Sequence, residues 1–393
     1  MKILNITKNC DCCRSNNLEQ LWSYSQKSKQ RTKVFNFKVN HSICRECGFV
    51  FLSPTYLQAD LNSYYEDSYT YFIPDFDVSY RINFIKKNGI GYGDFLEIGG
   101  NDKNNFHDQL NILFNNVKVQ DINQSGNTDD FQESLDLKFD CIAHYFVLEH
   151  VPGVITFLNR CYDLLKFNGY MIVEVPDLKK YSMYFDPLRF HEHTNHFTIE
   201  ILERICTNIG FKLIDYDYKK SSRKFGFSAL FQKTNIVSPV IYEDFTNKYE
   251  TNLIFFKNGK LEYLKYEKFI LNTYSHIQKM AASGKNILFW GANSVLRDII
   301  DNKPKLQNTI YVDSDLKKSN FLDDFGLKVL NPKSDFINFK QIDKLILCAS
   351  KDYLDQILLF LKDEKGVEFT SENILILSSN GSNTDHEIVS TFL

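Results

Sequence analysis

The chain has 393 residues, a length that favours two or three domains over a single core. Its formal net charge is −3 and no block rich in lysine and arginine stands out, which argues against a nucleic-acid-binding protein. No apolar run is long enough to span a bilayer, and the start, Met1 to Cys10, lacks the apolar segment of a signal peptide. We therefore expect a cytoplasmic protein without a membrane partner. In that compartment we expect its nine cysteines to serve as metal ligands or buried small side chains and not to form disulfides.

Two pairs of cysteines near the amino terminus have the spacing of a zinc site. Cys10 and Cys13 form one Cys-x-x-Cys pair, and Cys44 and Cys47 form a second. Each pair can present two sulfurs to one ion from a tight turn, so the four cysteines are predicted to hold one Zn²⁺. A redox pair or chance clustering is the alternative. Cys12 is a spare thiol that competes with Cys10 as a candidate ligand.

A strand that ends in a glycine turn is predicted at 94–102. Its apolar residues are typical of a buried parallel strand, and Gly99 and Gly100 follow at once. Glycine permits unusual backbone angles and lets a ligand approach closely, as in phosphate-binding and adenosine-binding turns. A tight strand-to-helix turn of any doubly wound domain is the alternative.

Further strand segments follow this turn, and a helical pattern at 77–88 precedes it. The segment 117–121 predicts a strand whose acidic end, Asp121, is the candidate that accepts the ribose hydroxyls of an adenosine cofactor. The segment 139–151 predicts a strand and a loop at the carboxyl edge of the sheet, where open α/β sheets bind ligands. The segment 164–176 combines a helix end, a glycine turn and another strand.

Histidines cluster after the last of these strands. His191, Glu192, His193 and His196 lie close together and are followed by an amphipathic helix pattern. A histidine titrates near neutral pH and can take a proton from a hydroxyl or an acidic C–H, while a carboxylate beside it can orient the ring. His193 is therefore the candidate general base. The alternatives are a metal pair at His191 and His193 and a structural His196 that caps the next helix, whereas His41 is expected on the surface.

These motifs, in this order, resemble the SAM-dependent sugar C-methyltransferase-like family, where SAM is S-adenosyl-L-methionine. The resemblance covers nearly the whole chain. It is carried by the cysteine pairs, the Tyr64-Tyr65 segment that follows them, the turn Glu97-x-Gly99-x-Asn101-Asp102, the segment Leu148-Glu149-His150-Val151 and the histidine cluster.

The resemblance implies an α/β fold with a zinc-binding module followed by a class I SAM methyltransferase Rossmann-like domain and a second Rossmann-like domain. The expected boundaries are 1–75 for the zinc-binding module and substrate-facing segment, 76–237 for the methyltransferase domain, 238–282 for a helical linker and 283–393 for the carboxy-terminal domain. A second strand-glycine-helix unit at 284–294 and later strands near 311–315 and 344–350 fit the last of these.

The resemblance also implies the site residues. SAM contacts are expected at Glu97, Gly99, Gly100, Asn101, Asp102 and Asp121. Chemistry on the acceptor side is expected at Tyr69, His150, Glu192 and His193. Tyr69 and Tyr71 lie where the family places an aromatic substrate contact, and packing between modules is the alternative for each of them.

The implied activity is methyl transfer to a small molecule, a nucleotide-linked sugar or glycan precursor, with C-methylation of a keto-sugar favoured. An O- or N-methyltransferase and a non-catalytic SAM-fold binding subunit are the alternatives. Three departures from the family pattern bear on this choice. Lys103 stands where the family has glycine, Phe190 stands where it often has tyrosine, and Phe225-Gly226-Phe227-Ser228 replaces a Gly-Gly-Ser stretch.

Overall fold

The structure is a computed structural model that describes residues 4–29, 33–68, 78–100, 106–120, 138–219, 221–234, 246–301, 303–333, 337–348 and 353–377. The chain divides into two compact units, residues 1–260 and 261–393. The first unit contains both the cysteine pairs and the predicted methyltransferase strands. Within the described ranges, no helix combines the length and the apolar character needed to cross a membrane.

The first unit begins with a hairpin and continues into an alternation of strands and helices. Its elements are β1 Asn5–Ile6, β2 Leu18–Lys29, β3 Val34–Cys44, β4 Val50–Leu52, β5 Thr55–Tyr56, α1 Gln58–Ser68, α2 Ser79–Lys87, β6 Asp94–Ile98, α3 Phe106–Leu113, β7 Asn116–Gln120, β8 Phe139–Tyr145, α4 Val154–Leu164, β9 Leu165–Pro176, β10 Asn195–His196, α5 Ile199–Ile209, β11 Phe211–Asp217 and β12 Gly226–Lys233.

The methyltransferase motifs lie on a six-stranded sheet of order β11-β12-β9-β8-β6-β7. Strands β7, β6, β8 and β9 are parallel, whereas β12 runs antiparallel to both β9 and β11. Parallel strands covered on both faces read as continuous apolar runs, which is why β6, β8 and β9 could be predicted. The expected helix before β6 is α2, and the expected amphipathic helix after the histidine cluster is α5.

The amino-terminal hairpin belongs to a second sheet, of order β10-β4-β3-β2. Its edge strand, β10, comes from the segment that carries the histidine cluster. Asn195 pairs with Phe51, the backbone N–H of Leu52 donates to the Thr194 carbonyl at 2.8 Å, and the N–H of Thr194 donates to the Glu149 carbonyl at 2.7 Å. Backbone hydrogen bonds therefore join the amino-terminal sheet to both predicted histidine loops.

Two histidine predictions are corrected by this sheet. His41 is 1% exposed and its ring stacks on Trp22, so the expectation that it lies on the surface is wrong. The end of β3 is covered on both faces, which a sequence pattern for one strand does not reveal. His196 lies in β10 and hydrogen bonds to Tyr181 (2.8 Å) and His41 (3.1 Å), so its role is structural but it does not cap α5. Burial lowers the pKa of His196 to about 3.

The helical region was expected at 238–282, and its described part is a single helix, α6, which spans Thr246–Ala282 and includes residues of both units. The second unit carries a parallel sheet of order β15-β14-β13-β16-β17. The strand-glycine-helix unit predicted at 284–294 corresponds to β13 and α7. The remaining bounds are β13 Ile287–Trp290, α7 Ser294–Ile300, β14 Thr309–Val312, β15 Val329–Leu330, β16 Lys344–Leu347, α8 Leu354–Asp363 and β17 Ile374–Ile376.

An acidic residue hydrogen bonds to the glycine turn that follows β13 in this second sheet. Asp313, after β14, accepts a hydrogen bond from the backbone N–H of Ala292 at 2.7 Å and pairs with Lys318 at 3.2 Å. The Asp313 carboxylate therefore holds the turn to the next strand.

A buried ion pair ties α2 to the carboxyl edge of the methyltransferase sheet. Arg81 Nε donates to Glu174 Oε2 at 3.1 Å, and the two side chains are 10% and 0% exposed. The Glu174 carboxylate also accepts hydrogen bonds from Ser222 and Ser228. The Arg81 guanidinium lies 4.0 Å from the centre of the Tyr145 ring, a cation–π contact that adds to the pair.

We expect Arg81→Met to lower the free energy of unfolding by about 3–5 kcal/mol, because it leaves the Glu174 carboxylate buried without its countercharge. Denaturant titration followed by circular dichroism measures the change. Lys87→Met is the matched control on the same helix, since Lys87 forms an exposed pair with Asp215. Equal midpoints for Arg81→Met and the wild type would contradict the assignment.

Candidate functional site

The two cysteine pairs converge in the first unit. Cys10 Sγ lies 3.5 Å from Cys47 Sγ, Cys13 Sγ lies 3.4 Å from Cys44 Sγ, and all four sulfurs are within 4.8 Å of one another. A tetrahedral zinc with Zn–S bonds near 2.3 Å places sulfurs about 3.8 Å apart, so the four thiols suit one such ion. Cys12 is also buried but does not belong to this group.

The Gly99 turn after β6 has the close packing that glycine permits. Gly99 has φ +76°, and a Cβ there would lie 2.5 Å from Val147 Cγ2. A Cβ on Gly100 would lie 2.7 Å from the Glu97 carboxylate. Glu97 itself is buried and its Oε2 lies 2.6 Å from His107 Nε2. The turn therefore offers backbone groups and a fixed carboxylate, while Asn101, Asp102, Lys103 and Asp121 lie outside the described residues.

The predicted His150 and His193 are brought together beside this turn. After β8, Val147 contacts Gly99 and the chain enters a 3₁₀ turn, Leu148–His150. The rings of His150 and His193 are 4.5 Å apart and nearly perpendicular. His150 Nδ1 lies 3.0 Å from the Tyr65 hydroxyl. Residues predicted from separate motifs thus form one cluster at the carboxyl edge of the sheet.

His193 has one ring nitrogen available inside this cluster. Its Nδ1 is buried and finds no hydrogen-bond partner among the described residues. Burial, reinforced by the nearby His150, His196 and Arg223, lowers the pKa of His193 well below its usual range. The imidazole is therefore neutral near pH 7.

Glu192 was predicted to orient the ring of His193, but its described contact is with His191. Its Oε2 lies 3.4 Å from His191 Nδ1, and the described hydrogen bonds do not connect it to His193. His191 packs against the rings of Phe37 and Tyr64. The ring that packs beside His193 is that of His150, and the metal pair considered at His191 and His193 stays a hypothesis.

Two site residues were missed by sequence reasoning. Glu149 is 1% exposed, its Oε1 lies 3.8 Å from His150 Nε2, and burial raises its pKa to about 8. Tyr65 provides the hydroxyl that meets His150, whereas Tyr69 and Tyr71 lie outside the described residues. Both missed residues lie in motifs named in the sequence analysis, the Tyr64-Tyr65 segment and Leu148-Glu149-His150-Val151. From the sequence alone, a glutamate next to a histidine is expected to be an exposed carboxylate, so the role of Glu149 depends on knowing its burial.

One comparison with known proteins, a match to a family model, covers the parallel strands of the methyltransferase sheet and the histidine cluster described above. Residues 71–216 match a family model described as "Methyltransferase domain". No curated protein matches the chain.

Several solved structures are similar over part of the chain. A SAM-dependent methyltransferase from Clostridium acetobutylicum is 13% identical and covers 40% of this chain and 90% of its own, with a TM-score of 0.30. The N-methyltransferase NodS from Bradyrhizobium japonicum, in complex with S-adenosyl-L-homocysteine, is 15% identical over 39% and 84%, with a TM-score of 0.31. A SAM-dependent methyltransferase from Archaeoglobus fulgidus is 15% identical over 39% and 94%, with a TM-score of 0.31.

At these identities and TM-scores the likeness bears on neither the substrate nor the mechanism of this chain. The family model matches less than half of the chain, and its span includes β6, the Gly99 turn, β8 and the histidine cluster. The match indicates a methyltransferase domain at residues 71–216 and therefore an enzyme.

Proposed function

We propose that the protein transfers a methyl group from SAM to a nucleotide-linked sugar or a related glycan precursor, with carbon next to a keto group as the favoured acceptor atom. The observation that carries this proposal is the His150–His193 cluster, which is linked through Val147 to the Gly99 turn. The order of motifs along the chain, from cysteine pairs to carboxy-terminal sheet, supports the sugar-directed subclass.

SAM supplies an electrophilic methyl group on a positively charged sulfur. The residues present fit such a cofactor, because a Cβ at Gly99 or Gly100 would collide with the protein itself, and a turn without Cβ atoms lets a ligand approach the backbone closely. Gly99, Gly100 and Glu97 are proposed to hold it, together with Asn101, Asp102 and Asp121. The chain then aligns the acceptor with the methyl carbon and excludes water.

The acceptor must lose one proton as the new bond forms. His193 is proposed as the base, because its buried Nδ1 has no described hydrogen-bond partner and can take the proton. For a carbon acceptor, the adjacent keto group acidifies the C–H, and the released electron pair forms the bond to the methyl group. Bound SAM would supply the methyl group, and its sulfur would keep the electrons of the methyl–sulfur bond.

The four cysteines are proposed to hold a structural zinc. A closed set of four thiolates leaves no open position for substrate, so the ion contributes to folding instead of chemistry. The geometry of the sulfurs supports this role, and so do the tight turns at Cys10–Arg14 and Cys44–Gly48, each closed by a backbone hydrogen bond of 2.8 Å.

We expect one zinc per chain in protein purified without chelator, since the thiolate cage is complete within the chain. Elemental analysis of the purified protein measures the stoichiometry. Cys44→Ser/Cys47→Ser should lose this zinc, whereas Cys12→Ser, which changes a buried thiol outside the group, should retain it. Full zinc retention in the double variant would contradict the assignment.

Gly99→Ala should sharply weaken SAM binding, because the added Cβ would collide with Val147 and requires a left-handed backbone. Asp121→Ala should weaken binding by about 1.5–3 kcal/mol, the usual contribution of hydrogen bonds to a charged group. Calorimetric titration measures both. Gly284→Ala is the control, since Gly284 has φ +82° but no neighbouring atom within 4 Å of the added Cβ. Unchanged affinity in Gly99→Ala would exclude this turn as the cofactor site.

His193→Ala should lower the turnover of methyl transfer by roughly 100-fold to 10,000-fold and leave SAM affinity nearly unchanged, since the base acts on the acceptor. His191→Asn, in the same segment but packed against Phe37, should stay within a few-fold of the wild type. Full activity of His193→Ala would move the base elsewhere, with His150 the first candidate. Product NMR on nucleotide sugars with and without a keto group distinguishes C-methylation from O-methylation.

A further inference from the structure

We propose that Glu149, His150 and His193 form a binding site for one divalent transition-metal ion of the zinc type, separate from the four-cysteine site. One carboxylate oxygen and one nitrogen of each ring lie within 4.8 Å of one another. Two imidazoles and a carboxylate are a ligand set that suits zinc and its neighbours in the first transition row.

The first supporting observation concerns Glu149. Its side chain is 1% exposed, and Oε2 has no hydrogen-bond partner among the described residues. Burial of a carboxylate is costly unless the group takes up a proton, is paired or binds a metal. Its other oxygen faces His150 Nε2, so the side chain is aimed into the cluster.

The second supporting observation is the way the His150 ring is oriented. His150 Nδ1 is hydrogen bonded to the Tyr65 hydroxyl, which leaves Nε2 facing Glu149. The buried Nδ1 of His193 has no hydrogen-bond partner among the described residues. Metal-binding histidines are typically oriented in this manner, with the second ring nitrogen bonded to a carbonyl or another polar group.

The distances require only small adjustments. Bonds of 2.0–2.2 Å to nitrogen and oxygen in a tetrahedral site place neighbouring ligand atoms about 3.4 Å apart, and the observed separation of His150 Nε2 from Glu149 Oε1 is 3.8 Å. Three protein ligands leave a fourth position for water or another oxygen. This inference goes beyond the proposed function, because His193 takes the proton of the acceptor only while the site holds no ion.

The test is a metal titration of the full chain whose cysteine site is already filled with zinc, in the absence of SAM and acceptor. Added Co²⁺ should bind with one further equivalent per chain and show the weak visible absorption of nitrogen and oxygen ligands. Glu149→Gln and His193→Ala should abolish this equivalent. Tyr65→Phe should weaken it by about 10-fold to 100-fold, because the group that orients His150 is lost.

Glu192→Gln and His191→Asn are the matched controls, since they change a carboxylate and an imidazole of the same segment outside the triad. Both should retain the second equivalent, and thermal melts should show that every variant is folded. The proposal is overturned if the wild type binds no second equivalent, if folded Glu149→Gln binds it as tightly as the wild type, or if the cobalt spectrum shows sulfur ligands. None of these readouts depends on methyl transfer, so failure of the proposed function would leave the result interpretable.

Discussion

The pairing of β4 with β10 is the constraint on which the His150–His193 cluster depends. Because Leu52 and Thr194 share a backbone hydrogen bond, the histidine segment cannot move independently of the amino-terminal sheet. Thr194 also donates a backbone hydrogen bond to the Glu149 carbonyl, and this bond holds the 3₁₀ turn that carries His150. A side chain of β5 also joins the amino-terminal part of the chain to the histidine segment, since the Tyr56 hydroxyl donates to the His191 carbonyl at 2.9 Å. Cys44 ends β3 of the same sheet, so an ion held by the cysteine pairs would stabilise that sheet as well.

Three buried carboxylates at the carboxyl edge of the methyltransferase sheet meet very different surroundings. Glu97 is engaged by His107, and Glu174 is neutralised by Arg81 and hydrogen bonded by two serines. Glu149 has neither a close cation bonded to it nor, at Oε2, a hydrogen-bond partner among the described residues. Burial alone therefore dominates its proton affinity. This contrast separates a carboxylate that holds the fold together from one that is available to a proton or an ion.

Much of this architecture follows from the sequence because local patterns encode it. The apolar runs of β6, β8 and β9 are fixed by burial on both faces, and the spacing of the cysteine pairs is fixed by the turn that presents two sulfurs. What could not be predicted depends on contacts between distant segments. The burial of His41 requires β10 and Trp22, and the partner of Glu192 depends on how its loop turns. The involvement of Glu149 follows from a burial that no periodicity signals.

The pairing of β4 with β10 also sets an order of events during synthesis. Strand β4 leaves the ribosome early, whereas β10 follows only after most of the methyltransferase domain has been made, and translation proceeds at roughly 5–20 residues per second. During that interval one edge of the amino-terminal sheet has no strand beside it. The His150–His193 cluster is therefore among the last parts of the first unit to assemble, and an exposed strand edge of this kind is prone to pair with other chains until β10 covers it.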